Sequence, residues 1–255
     1  MFTHSARCRR RRRRRRTLLL TAVLATTILV LLHGRAQPRA GSATDPVRPS
    51  APATGVRQTG TSRTRAGTSG TLIAAGQGLS WTDFHGIQLP ASAQDGPHHT
   101  RGGLAWGFTD TPRGALLAAI NIAVRTAALW GPAIYKPTIT HQVTGPDAAA
   151  LLRADASDYA QLRAAAHAGA GKPAGRGYAA ETAFRFDAYS SAGATVDIVT
   201  AGPGSGGTTV MAATRIELVW RGRDWRVVAP PGGDWGNSAA AVPSLTGYTT
   251  FPGEE

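Results

Sequence analysis

The chain has 255 residues, with 28 Lys and Arg against 15 Asp and Glu, a formal net charge of +13 and an isoelectric point near 11.3. Clustered cations of that number suit nucleic acid, but the excess is local: residues 1–16 hold nine arginines and no acid, and residues 33–70 hold six arginines against Asp45 alone. The remaining 13 basic and 14 acidic residues nearly cancel, which excludes an electrostatic footprint for nucleic acid on the main domain, and the single cysteine, Cys8, excludes an internal disulfide.

The amino terminus carries the octet Arg9, Arg10, Arg11, Arg12, Arg13, Arg14, Arg15 and Arg16, followed by the uncharged run Thr17 to Leu32. With His33 and Gly34, residues 17–34 make about 27 Å of helix, close to the roughly 30 Å of a hydrocarbon core. The charge asymmetry predicts a single-pass anchor in the cell membrane, with residues 1–16 as a cytoplasmic tail and the rest extracellular. Anionic lipid headgroups are the expected partner of the octet. Two rival readings stay open: a signal cleaved after Ala36, with small residues Gly34 and Ala36 at the minus-three and minus-one positions, and a twin-arginine export signal. Residues 35–70 are rich in Pro, Ser, Thr, Gly and Arg and lack aromatics, the composition of a disordered linker, with an r.m.s. reach of roughly 30 to 36 Å.

Residues 71–255 are expected to form one extracytoplasmic α+β domain. Leu72 to Pro90 shows no clean period and reads as an extended arm. Thr111 is the expected N-cap, and Pro112 the first residue, of a helix of about 19 residues stopped by Gly131-Pro132. Its apolar stripe is Leu116, Ala119, Ile120, Ala123, Val124 and Ala127, with Arg113 and Arg125 outside it. A second helical region spans Pro146 to Ala168, with a break expected near Asp155 to Ser157. The period then changes to two. Ala183, Arg185, Asp187 and Tyr189 alternate with Phe184, Phe186 and Ala188, and further strands are expected at Thr195 to Thr200, Val210 to Trp220 and Trp225 to Ala229. The last two are joined by a tight hairpin at Arg221-Gly222-Arg223-Asp224. Helices followed by antiparallel strands place the helices on one face of the sheet.

The closing hairpin Trp220 to Val228 resembles that of NTF2-like domains, and the phrases Gly86 to Pro90, Gly107 to Ala119 and Leu245 to Phe251 resemble a family of actinobacterial conjugative and integrative elements. The resemblance implies a cone of two or three helices on a curved antiparallel sheet, and a non-enzymatic scaffold module similar to inner-membrane components of type IV secretion. Other subunits of an envelope assembly are then its expected partners. The alternative it implies is an exported enzyme or small-ligand-binding protein with a pocket inside the cone, where Asp187, Tyr189, Tyr159 and Asp197 are the available polar residues.

No catalytic, cofactor or metal residue is assigned. His98 and His99, with His85 or His141, would make an imidazole set for zinc, but adjacent histidines point apart in an extended loop and neither HExxH nor cysteines accompany them. Trp81, Trp106, Trp220 and Trp225 read as core aromatics rather than a ligand wall.

Overall fold

The computed structural model describes Leu72 and residues 74–252. The expected tail, membrane segment and linker lie outside the described residues. Among the described residues, no helix is long and apolar enough to cross a membrane. The domain is α+β: the elements from Ser80 to Thr250 include three α-helices and a large, mostly antiparallel sheet.

The arm expected before Pro90 folds into a hairpin, β1 (Ser80–Phe84) and β2 (Ile87–Ala91). Its two-residue turn puts His85 and Gly86 at φ 54° and 97°, and histidine in place of the usual Asn or Asp hides the turn from the sequence. A second hairpin, β3 (His99–Arg101) and β4 (Leu104–Trp106), follows. Helix α1 (Pro112–Thr126) starts as expected: the Thr111 hydroxyl accepts from the Gly114 N–H at 3.0 Å, and proline occupies the first turn. It is shorter than expected because the chain tightens into a 3₁₀ turn at Ala128–Trp130. Arg125 lies inside the apolar face, not outside it. Only 6% exposed, it has its guanidinium 4.4 Å from the Phe84 ring centre, and its Nη1 donates to the Asn121 carbonyl and Oδ1. Burial pulls its pKa down to about 10.

Helix α2 (Pro132–Gln142) has no counterpart in the sequence reading, because Pro137 interrupts it and its apolar residues form no clear stripe. A short strand, β5 (Val143–Thr144), leads to α3 (Ala148–Ala166). This helix runs unbroken through Asp155 to Ser157 and ends where His167 turns left-handed at φ 53°.

The sheet follows, from β6 (Ala180–Ser190), β7 (Gly193–Pro203), β8 (Thr209–Arg221) and β9 (Asp224–Val228). The hairpin between β8 and β9 is as tight as expected: Arg221 pairs with Asp224, leaving Gly222 and Arg223 at φ 61° and 77°. Strand order is β11-β6-β7-β8-β9-β5, with β11 at Thr249–Thr250 and β5 parallel to β9. Beyond β9 the chain leaves the sheet, runs along α3, and returns as β10 (Ala239–Ala241), which pairs with another stretch of β8.

The face of this sheet turned toward the helices carries Phe184, Phe186, Val196, Ile198, Ile216 and Leu218. They pack with Leu116, Leu117, Ile120 and the fully buried Trp225 in one continuous core. Trp225 also spends its polar atom there, its Nε1–H donating to the Thr109 carbonyl at 2.9 Å.

Candidate functional site

On the opposite face, ladder neighbours fall into two groups. Ala183, Val199 and Ala213 lie side by side, covered by Met211, Val242, Leu245 and Tyr248 in a small second apolar cluster. One step along the strands, Arg185, Asp197 and Arg215 occupy adjoining rungs. Asp197 is 5% exposed, and both its oxygens are engaged. Oδ2 accepts from Arg185 Nη2 at 2.6 Å, and Oδ1 from Arg215 Nε at 2.9 Å. Burial works against the ionised carboxylate, and the hydrogen bonds and charges of Arg215 and Arg185 outweigh it, holding Asp197 below its ordinary range. The two guanidinium groups thus stand fixed while half-exposed to solvent. Arg185 also lies 4.7 Å over the Tyr248 ring.

This triad floors a groove of about 650 Å³. One wall is the excursion between β9 and β10, through Pro230, Pro231, Trp235 and Asn237; Tyr248 bounds another side, and Asp147 and Glu217 add acidic groups. The wall is seated on the helices. Trp235 Nε1 donates to Thr126 Oγ1 at 3.0 Å, and Asp234 Oδ1 accepts from the Gly236 N–H at 2.8 Å. At Gly233, φ is 72° and a Cβ would overlap the backbone of Ala150 and Leu151. Only glycine lets the wall approach α3 so closely. Prolines, aromatics and alanines surround the two fixed, half-exposed cations.

Of the residues considered for an interior pocket, only Asp187 and Asp197 come together, and they do so on the outer face, where Arg215 pairs with Asp187 Oδ2 at 3.6 Å as well as with Asp197. Asp197 belongs to the opposite face. Asp187, expected in line with Arg185 and Tyr189, is the extra residue of a bulge between Phe186 and Ala188, and the shift of register carries Tyr189 to the core side, against Phe186 and Trp225. Burial and the nearby Asp110 carboxylate push Tyr189 up to about 12. Tyr159 lies on the buried face of α3, its hydroxyl donating to the Lys172 carbonyl at 2.8 Å. The interior itself is filled by apolar side chains.

The histidines are also apart. His85 stacks on Trp130 and His99 on Trp106, while His98 and His141 are exposed elsewhere. Among the described residues, no three His, Cys, Asp or Glu side chains are placed to hold a metal ion. Trp225 is core; Trp220 packs on it and Trp81 packs edge-on against Phe251. Arg215, Tyr248 and the wall at Pro230–Val242 were not picked out from the sequence. Their only signal there was strand parity, which puts Arg185 and Arg215 on one face once the register is known.

The phrases that stood out in the sequence mark joints of the fold. Asp224 Oδ2 accepts from the Gly107 N–H at 3.0 Å, and Oδ1 from Phe108 at 3.2 Å and Trp225 at 2.9 Å, fastening the last hairpin to the entry of α1. At the same entry, Asp95 accepts from Thr109 at 2.5 Å, Thr111 at 2.7 Å and Arg113 at 3.2 Å. Burial opposes its charge, but these bonds prevail and lower its pKa.

Fold and site together define a mixed α+β domain with a closed apolar core and an open groove on the sheet face away from its helices. The chain belongs to the family described as a domain of unknown function (DUF8175), whose model matches residues 40–250. No curated protein and no solved structure matches it.

Proposed function

We propose that this protein is a non-enzymatic, membrane-tethered assembly module of a conjugative transfer or secretion apparatus, with an NTF2-like domain that engages other subunits through the outer-face groove. The observation that carries this reading is where the concavity lies. An NTF2-like enzyme or ligand-binding protein would use the space between helices and sheet, and here Trp225, Phe184, Leu116 and Ile120 occupy it. The open surface is instead the groove over Arg185, Asp197 and Arg215, and its position outside the core supports a partner chain as its occupant. Three helices on one face of a bulged, antiparallel-rich sheet support the cone, and the octet Arg9 to Arg16 ahead of an apolar run supports the tether.

Ala240 is exposed on the groove lining and contributes nothing to the core. Ala240→Arg is expected to leave the melting temperature unchanged and to abolish co-purification of envelope subunits or a translocation ATPase with the tagged full-length protein from membranes. Undiminished co-purification would refute the groove as the docking surface.

A further inference from the structure

One buried group has no role in the core or in the groove floor. Asp155, on α3, is 9% exposed, and its Oδ2 has no hydrogen-bond partner. The Ala128 N–H of the 3₁₀ turn donates to the same carboxyl. Facing it are two more carboxylates, Asp158 on its own helix and Asp234 on the groove wall, while the phenols of Tyr135 on α2 and Tyr159 on α3 complete its titratable surroundings. Among the described residues, no Arg, Lys or His forms an ion pair with it. The seat of the wall lies beside it: Gly233 packs against Ala150 and Leu151, one turn of α3 before Asp155, and Asp234 follows directly.

We propose that Asp155 is a proton-operated latch that holds the Gly233–Asp234 segment, and with it the groove wall, against α3. This rests on the groove being the working surface and adds its regulation. Protonated, the carboxyl is neutral beside Asp158 and Asp234, and the wall stays seated. Ionised, it is a desolvated charge facing two others, and lifting the wall relieves it by admitting water. Burial first, then the charges of Asp158 and Asp234, raise the pKa to about 8 against the opposing Ala128 hydrogen bond.

The sign follows from linkage. With the wall lifted, the carboxyl titrates near its ordinary value of about 3.9, so the seated state holds the proton more tightly. Lifting therefore becomes easier as pH rises from about 4 to about 8, approaching tenfold per pH unit, and levels off above that.

The test is amide hydrogen exchange of peptides covering residues 230–242 in the full-length protein from pH 5 to 9, corrected for intrinsic rates, in wild type and Asp155→Asn. Wild-type opening is expected to rise by two to three orders of magnitude and to reach a plateau near pH 8, with Asp155→Asn flat over the same range. Equal slopes in the two proteins, or a flat wild type, overturn the latch. Should Asp155→Asn fail to fold, Asp234→Asn decides: a plateau at lower pH supports the latch, and an unmoved one overturns it. Loss of the slope in Asp155→Asn while Ala240→Arg still retains its partners would leave the latch standing and remove the docking role of the groove.

Discussion

Replacing Asp224 with alanine should be among the most damaging single changes outside the apolar core. Its carboxylate accepts from Gly107, Phe108 and Trp225, and the last two N–H groups are buried. Each buried donor left without an acceptor costs about 1–3 kcal/mol, and the half-buried Gly107 falls at the low end. The sum is about 4 kcal/mol, a large part of the roughly 5–15 kcal/mol that stabilises a typical domain. Asp224→Asn offers a graded control. Its remaining oxygen can still serve Phe108 and Trp225, so only the Gly107 bond is lost, at about 1–2 kcal/mol. Equilibrium urea unfolding followed by tryptophan fluorescence measures both. Losses below 1 kcal/mol for Asp224→Ala, or equal losses for the two variants, would refute the view that this residue fastens the final hairpin to the entry of α1.

Three further outcomes follow from the same geometry. Gly233→Ala meets the α3 backbone at a positive φ and should cost about 2 kcal/mol or more, with the added exchange confined to residues 230–242; an unchanged melting temperature would contradict the close seating of the wall. Arg223→Gly relieves an arginine held at φ 77° and should raise stability by up to about 1 kcal/mol in the same unfolding assay, whereas a loss would show that the turn needs its side chain. In a pH series of melting temperatures, the lowered Asp95 and Asp197 contribute stability that is present above about pH 4 and lost as pH falls through their folded values, while the raised Asp155 removes stability as pH rises from about 4 to about 8. Glu181, pushed up to about 7 by burial, and the raised Asp158 act in the same direction, so stability should peak in weak acid, and Asp155→Asn should make the alkaline limb shallower while leaving the acid limb unchanged.

The four central strands β6 to β9 and two of the three described helices were legible because their signals are local, whereas the short β5, β10 and β11 carry none. Thr111-Pro112 announces α1, and the run of alternating residues from Ala183 announces β6. The features that place the site are not local. A single bulge at Asp187 reverses the side of every later residue on β6, so Tyr189, read in line with Arg185, lies in the core. Asp197 looked like a candidate for the interior because its partners, Arg185 and Arg215, are 12 and 18 residues away and become its neighbours only through strand pairing. Helix α2 escaped notice because Pro137 and a weak apolar pattern conceal it, and tertiary packing supplies what propensity does not. The groove wall carries almost no sequence signal. It exists because the chain leaves the sheet after β9 and returns as β10, and a glycine at position 233 permits the contact that holds it in place.

The docking role of the groove is tested most directly by photocrosslinking in intact membranes, with the photoreactive residue placed singly at Ala240, at Asn237 and, for comparison, at the exposed Ala160 on α3. A docking role for the groove predicts crosslinks to identified envelope or ATPase subunits from the two groove positions and none from Ala160. Crosslinks from Ala160 with the groove positions silent would contradict it.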